Sequence, residues 1–396
     1  MNSRAKFVVV ISSTFVVLVL LLGTVLGKGT APDSPYRHLA VYTEVLSRIK
    51  SEYVEEPDLK SVTLGALNGL LESIDPFASY LNADQYKEFL KHGEAKGDVG
   101  LILSKRFGYI GVVSAVPGSP AAKAGLTTGD IIETINGVAT RDMPLAYTYL
   151  LLRGNPGTTV DVTVLRRQPE PQKMTLTRSV LNPPPVVAKI MQNEVAYVRP
   201  ETLSASRVQT IAADLRELQN KGAKQLVLDL RQCAVGEPED GIALADLFLD
   251  KGLVTYLQGQ RVARQDFNAD ASKVVWKLPV VVLTNRGTAD GAEVAAAALE
   301  DNDRAKVVGE RTYGDASLRR ALTMDDGSAI ILSVAKYYSP SGKAIQDTGV
   351  TPGELVQEPE PQAESDEDEV HPEAPEPEHT AGEDVILKRA IELLNK

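Results

Sequence analysis

Two carboxylates and a guanidinium, Asp290, Asp315 and Arg319, fall in one stretch, Pro279 to Thr323, together with the hydroxyls of Thr288 and Ser317. Two aspartates brought face to face repel unless they share a proton or gain a cation. A shared proton would make an aspartic dyad and an added ion a metal site, while Arg319 is the cation at hand. The hydroxyls could attack an acyl group only with an amine to take their proton, and Lys336 and Lys343 are the amines available. Arg319 stays protonated and cannot act as a base. A plainer reading fits as well. Asp290-Gly291-Ala292-Glu293 has the form of a helix N-cap with a capping-box glutamate, and an acid there suits the helix dipole.

The elements that must position these groups can be read around them. Val280–Leu283 is an apolar, β-branched run that reads as a buried strand. A turn follows at Asn285–Gly287, then the Ala-rich segment Ala292–Leu299 with high helix propensity. Lys306–Val308 reads as a second strand, leading into a turn at Tyr313–Asp315. The helix is expected to present free backbone N–H groups at its start, able to bind an oxyanion or a carboxylate.

Composition narrows the chemistry. The 396 residues are enough for two or three domains. The net charge of −11 misleads, because Glu354 to Asp384 holds 13 acidic side chains and no Lys or Arg, leaving the rest slightly positive. Nothing suggests nucleic-acid binding. Cys233 is the only cysteine, so neither an internal disulfide framework nor a multi-cysteine zinc site is possible. His38, His92, His371 and His379 leave residues 93–370 without a histidine, which excludes a Ser-His-Asp or Cys-His site built within them. Cys233 is then expected to be a small core hydrophobe. No phosphate loop or dinucleotide fingerprint is present, and no metal or cofactor is expected.

In chain order, Phe7 to Gly27 is 21 residues without a charge, preceded by Arg4 and Lys6. That is long enough to cross a membrane, and residues 1–33 are read as an uncleaved anchor in preference to a signal peptide, with the bulk of the chain on the extracytoplasmic side. Residues 34–95 read as helical, with Leu39, Val41, Val45, Ile49 and Tyr53 at helical spacing and a break at Asp75-Pro76. Residues 96–168 resemble a PDZ domain, on Asp98–Leu103, Val113–Val116, Gly118–Leu126, Gly129–Ile132, Ile135–Gly137 and Leu151–Gly154. Residues 169–185, ending in Pro183-Pro184-Pro185, read as a semi-rigid connection. Residues 186–353 read as an α/β sheet domain with strands Val195–Val198, Gln225–Leu230, Val280–Leu283, Lys306–Val308 and Ala329–Val334, and helices Ser204–Gln219 and Gly241–Leu249. Residues 354–383 read as an acidic, self-repelling disordered linker, and 384–396 as an amphipathic helix too short to stand alone, expected to dock on this chain or a second protomer.

Asn285, Gly287, Ala289, Glu293, Val307, Val308, Gly309, Glu310, Thr312 and Gly314 follow one another in the order and spacing of the C-terminal processing peptidases, also called tail-specific proteases. Tyr53–Glu56, Gly65–Leu71 and Asp75–Leu81, then Leu226–Arg231, Ala335–Ile345 and Gly349–Pro352 extend the resemblance over most of the chain. It implies a crotonase-like peptidase core with a preceding PDZ domain and a helical N-terminal segment, without cofactor. It implies that the family's nucleophilic serine falls on Asp290, its general-base lysine on Asp315 and its supporting glutamine on Arg319. The family's oxyanion turn falls on Gln232–Gly236, where Val235 stands in a position that glycine would fill, so the turn at Val235 and Gly236 is read as eroded. Its peptide-carboxylate loop falls on Val99, Gly100 and Leu101, with Asp98 close enough to weaken capture. The reading is a pseudoprotease that binds unfolded or C-terminal peptide segments without cutting them, as a homodimer or as partner of an active relative. An active peptidase with relocated residues is the alternative, and a purely structural dimer with a closed PDZ cleft a third reading.

Overall fold

The computed structural model describes residues 35–92, 96–106, 108–141, 143–166, 170–357 and 384–395. The expected anchor Phe7–Gly27 and the acidic stretch 358–383 lie outside the described residues. Among the described residues, no helix is long and apolar enough to cross a membrane. The chain divides into two units, one ending at Leu64 and one running from Gly65 onward. The first holds α1 (Pro35–Glu52), which takes in Leu39, Val41, Val45 and Ile49 and stops one residue short of Tyr53; α2 (Leu59–Glu72) follows.

In the second unit, β1 (Ser79–Leu81) and α3 (Ala83–His92) precede a β-rich domain. That domain comprises β2 (Leu101–Arg106), β3 (Tyr109–Ala115), α4 (Pro120–Lys123), β4 (Ile131–Ile135), β5 (Val138–Ala139), α5 (Leu145–Leu152), β6 (Thr159–Leu165) and β7 (Gln172–Thr177). Its sheet runs β2-β3-β4-β6-β7, with β5 on β4. Alternation along β6 sends Val160, Val162 and Val164 inward, against Leu103, Ile110, Ile132 and Leu152. β7 corrects the sequence reading of 169–185 as a connection. It pairs with β6 from Thr159↔Thr177 to Val164↔Gln172. It is an edge strand that buries only Leu176, so its polar composition hid it.

The peptidase-like core follows as β8 (Val187–Ile190), β9 (Val195–Arg199), α6 (Ala205–Asn220), β10 (Gln225–Asp229), α7 (Pro238–Asp246), β11 (Leu253–Gln258) and β12 (Gln265–Asn268). It continues through β13 (Val280–Thr284), α8 (Gly291–Asp301), β14 (Lys306–Gly309), β15 (Ser317–Thr323), β16 (Ala329–Tyr338), β17 (Glu354–Leu355) and α9 (Val385–Leu394). The main sheet is ordered β17-β14-β13-β10-β9-β8 and is parallel except for β8. A second sheet is ordered β1-β16-β11-β12, with β15 on β16.

Strands buried on both faces explain the continuous apolar runs. Leu226, Leu228, Val280 and Val282 pack with α6, α7 and α8 on one side. Val227, Val281, Leu283 and Val308 meet Ile386 and Ala390 of α9 on the other. The terminal helix thus docks on the sheet of its own chain. Arg231 holds it in place, bridging the fully buried Asp229 (2.7 Å) and Asp384 (2.8 Å). Two boundaries differ from the sequence reading. Glu354–Leu355, placed in the acidic linker, pairs with Val308 and Gly309 as the sixth strand. α7 begins at Pro238, because Glu237 is its N-cap and Asp240 closes a capping box.

The starts of α7 and α8 touch backbone to backbone. A Cβ on Gly241 would lie 1.9 Å from the Gly291 carbonyl oxygen, and one on Gly291 would lie 2.3 Å from the Glu237 oxygen. Neither helix can carry a side chain there without moving. Gly241→Ala improves helix propensity but should still destabilise the chain by about 3 kcal/mol, read from the urea midpoint. Arg231→Ala, which strips the buried Asp229 of this cation and leaves it the Tyr197 hydroxyl and a backbone N–H, should cost about 3–5 kcal/mol in the same measurement.

Candidate functional site

β13 ends at Thr284, and the chain reverses into α8 through a turn held by Asn285. The Asn285 side-chain oxygen accepts the N–H groups of Gln232 (3.0 Å) and Gly287 (3.1 Å), which ties this turn to the one after β10. Asp290 then stands at the head of α8 with φ 53° and ψ −120°. For a non-glycine residue this is strained backbone. It has the form of the sharp strand-to-helix elbow on which hydrolases display a nucleophile. Asp290 is half-buried, and its Oδ1 has no hydrogen-bond partner. Burial and the carboxylates of Glu237, Glu293 and Glu239 push its carboxyl well above the usual range, with Arg319 pulling the other way.

Glu293, one turn into α8, is fully buried. Its Oε2 accepts the N–H of Asp290 (2.9 Å) and of Asp315 (2.8 Å), and its Oε1 accepts Gly314 N–H (2.6 Å) and the Thr312 hydroxyl. Burial pushes the carboxyl up to about 8, against the pull of those donors. One side chain therefore fixes both the elbow and the loop that carries Asp315. The expected ion cluster forms only in part. Arg319 pairs with Asp315 through its Nη2 and has no such bond to Asp290, and its Nε lacks a hydrogen-bond partner. The guanidinium lies over the Phe77 ring at 4.1 Å, and Tyr313 meets the same ring edge-on at 6.0 Å.

The N–H groups expected to be free at the start of α8 are engaged. Gly291 N–H donates to the Gly236 oxygen (3.1 Å), Ala292 N–H to Ala289 and Glu293 N–H to Asp290. The donor that follows an elbow residue usually helps to hold an oxyanion; here it is closed inward. The turn Gln232–Gly236 also corrects the argument made from Val235. Its left-handed positions are Gln232 (φ 60°) and Gly236 (φ 144°), and Val235 is not among them. Val235 oxygen accepts Leu203 N–H (2.6 Å), and what closes the turn is the Gly291–Gly236 bond.

Of the other candidate groups, Thr288, Ser317, Lys336 and Cys233 are committed elsewhere. The fully buried Thr288 hydroxyl donates to Leu230 oxygen (2.9 Å) and accepts Asn285 N–H (3.1 Å). Ser317 and Lys336 are direct cross-strand partners, yet Ser317 Oγ lies 3.2 Å from Ser333 Oγ and Lys336 Nζ 2.6 Å from Asp347 Oδ2. The ammonium is thus held by a carboxylate and is not a desolvated base. Lys343 sits in the turn after β16, where its oxygen accepts Ser339 N–H. Cys233 is fully buried and its thiol is pushed up to about 12 by burial, as a core residue should be. Among the described residues, no group of three His, Cys, Asp or Glu side chains could hold a metal ion.

In the PDZ-like domain, Val99 and Leu101 are buried in the core, and Gly100 N–H donates to Asp98 Oδ1 (2.7 Å). The acid thus occupies a donor that a peptide carboxylate would use. β2 is the edge of its sheet, where a peptide would add as a strand. That edge is closed by Tyr149 of α5, whose hydroxyl accepts Leu103 N–H (2.7 Å) and donates to Leu103 oxygen (3.2 Å). Burial pushes the Tyr149 hydroxyl up to about 12. The domain also leans on the core turn, with Ser114 and Thr128 hydroxyls donating to the Gln232 side-chain oxygen at 3.3 and 3.1 Å. Sequence reasoning missed Tyr149, Phe77 and Tyr313. The apolar run around Tyr149 conceals a hydroxyl aimed at a strand edge, and Phe77 reaches Arg319 only through tertiary packing.

Sequence profiles match two parts of the chain: the PDZ domain at residues 111–166 and peptidase family S41 at residues 194–356. The carboxyl-terminal-processing protease of Synechocystis sp. is 33% identical over 322 residues, covering 78% of this chain and 75% of that one. The carboxy-terminal-processing protease of Bartonella bacilliformis is 30% identical over 339 residues, covering 83% and 77%. Among solved structures, the photosystem II D1 C-terminal processing protease superposes with a TM-score of 0.66 at 28% identity, covering 79% of this chain and 86% of that one.

The raised carboxyls of Asp290 and Glu293 set a pH dependence. The folded chain holds protons that the unfolded chain has released, so unfolding releases protons and stability falls as pH rises. The fall should begin near the unfolded values of 3.8 and 4.5 and continue through about 8. Asp290→Asn should make that fall shallower, and its stabilising effect should grow from pH 4 to pH 8, with urea midpoints across that range as the measurement. A steeper fall in the variant would contradict the assignment.

Proposed function

The chain belongs to the family of carboxyl-terminal processing proteases, and from that premise we propose that it is a non-cleaving member, a scaffold or regulator of proteolysis that receives polypeptide C-termini through its PDZ domain. One observation carries the proposal. At the elbow where such a protease needs a hydroxyl stands Asp290, followed by a Gly291 N–H already bonded to Gly236. Asp315, at the position the family uses for its amine, is held by Arg319 and cannot serve as a neutral base to a serine that is not there. The relocated-residue alternative gains nothing from Thr288, Ser317 or Lys336, whose polar atoms are spent on other partners, and Lys343 is exposed in the turn after β16, where nothing desolvates its amine.

Anchoring by Phe7–Gly27 would place the globular part on the extracytoplasmic side, among unfolded or freshly exported C-termini. Assembly as a homodimer, or with an active relative, belongs to the same proposal. Peptide capture in this PDZ domain would be latent. An incoming strand must displace Tyr149 from Leu103 and compete with Asp98 for Gly100.

The test is incubation of the purified full chain with an unfolded protein bearing an apolar C-terminus, followed by mass spectrometry for both binding and cleavage. Binding with no new fragments is expected; cleavage abolished by Asp290→Ala would sink the proposal. Tyr149→Phe frees both backbone groups of Leu103 and should tighten peptide binding about tenfold in a fluorescence titration. Unchanged affinity would mean that Tyr149 does not guard the groove.

A further inference from the structure

The ψ of −120° at Asp290 does something besides forming an elbow. In an L-residue the Cβ bond is offset from the backbone nitrogen by a third of a turn, so this ψ eclipses Cβ with the amide nitrogen of the next residue. Cβ, Cα, the carbonyl carbon and the Gly291 nitrogen then lie nearly in one plane, as they must in a five-membered imide. Ordinary backbone conformations keep that torsion far from planar, and positive φ (53° here) is what admits it. We propose that Asp290-Gly291 is a self-modification site, at which the Gly291 amide nitrogen closes onto the Asp290 side chain to form a succinimide.

The step balances without a co-reactant. The Gly291 nitrogen attacks Asp290 Cγ, a Cγ–N bond forms, and a Cγ–O bond breaks. The departing oxygen leaves as water with the carboxyl proton and the amide proton. Water later opens the ring at either carbonyl, regenerating aspartate or leaving isoaspartate. Three features of the site favour closure. The residue that supplies the nitrogen is glycine, so no side chain crowds the ring. The Gly236 carbonyl oxygen, 3.1 Å from that nitrogen, accepts its N–H and polarises it toward attack. Water leaves from a neutral carboxyl far more readily than from a carboxylate, and burial, with the neighbours Glu237, Glu293 and Glu239, favours the neutral form, Arg319 opposing them. The remaining torsion, about Cα–Cβ, is a side-chain rotation. The ring would remove one acid from a site crowded with them.

The chain carries its own controls, Asp240-Gly241 and Asp326-Gly327. Asp240 lies in α7, where a helical ψ near about −42° turns the next nitrogen well away from Cβ. Asp326 sits in the turn between β15 and β16, its Oδ1 accepting Ser328 N–H (2.9 Å). The full chain would be aged folded and, in parallel, unfolded in urea, then digested and mapped by mass at all three sites. In the folded chain a species one water lighter, and isoaspartate after it, should accumulate at Asp290-Gly291 about tenfold faster than at Asp240-Gly241, because the geometry is already in place. Unfolding should erase the difference. Equal rates at the two sites in the folded chain, or a rate at Asp290 that rises on unfolding, would overturn the proposal. Asp290→Ala should abolish the lighter species at that site and leave the other two unchanged.

Discussion

The buried carboxyl group of Glu293 is the interaction on which the site depends. Its two oxygens gather the N–H groups of Asp290, Gly314 and Asp315 and the Thr312 hydroxyl, from the head of α8 and from the loop between β14 and β15. A carboxyl group buried this deeply is tolerated only when its oxygens find hydrogen-bond partners. Filling them fixes the relative position of two loops that the Tyr313 N–H also joins, by donating to the Thr288 oxygen (2.9 Å). Thr312 extends the arrangement by accepting Val350 N–H (2.7 Å), which brings the segment before β17 into the same frame. The framework of a protease site therefore persists around Asp290 and Asp315 whether or not those residues do chemistry.

The PDZ-like domain and the core share a wall. Gln232 contacts Ser114 and Thr128, while Val113, Ala234 and Ala289 form a small buried cluster against which Ile102 and Tyr313 pack. Arg319, stacked on Phe77, stands beside Tyr313 at the same seam. Asp75 strengthens it from the N-terminal side, accepting the N–H groups of Phe77 and Ser333. A change at the peptide groove is thus a short physical distance from a change at the elbow.

How much of this was legible in sequence follows from where each signal resides. Val280–Leu283 and Leu226–Leu228 were readable as strands because burial on both faces leaves an unbroken apolar run. The Asp290–Glu293 cap was readable because capping is local. β7 and β17 were not, because edge strands bury one residue or none and look like loops. The inward bond from Gly291 to Gly236 joins segments far apart in the chain, and no local pattern announces it. For the same reason Val235 looked like the weak point of its turn, although Gln232 and Gly236 carry the left-handed geometry. Tyr149 shows the limit of pattern reading, since an apolar helix face gives no sign that one hydroxyl is aimed at a strand edge.

The docking of α9 has a consequence for how the chain end behaves. β17 and α9 lie on the same sheet, joined by the Arg389–Glu354 ion pair, and Gln225 holds the Leu394 oxygen at 2.6 Å. Both ends of segment 358–383 are therefore pinned to one surface, and α9 acts as a ligand held at high effective concentration by its own tether. The helix is too short to persist alone. A single peptide-bond cut in that segment would not alter one contact of α9, yet it would turn a first-order equilibrium into a second-order one, and dilution alone could then strip the sheet of its cover.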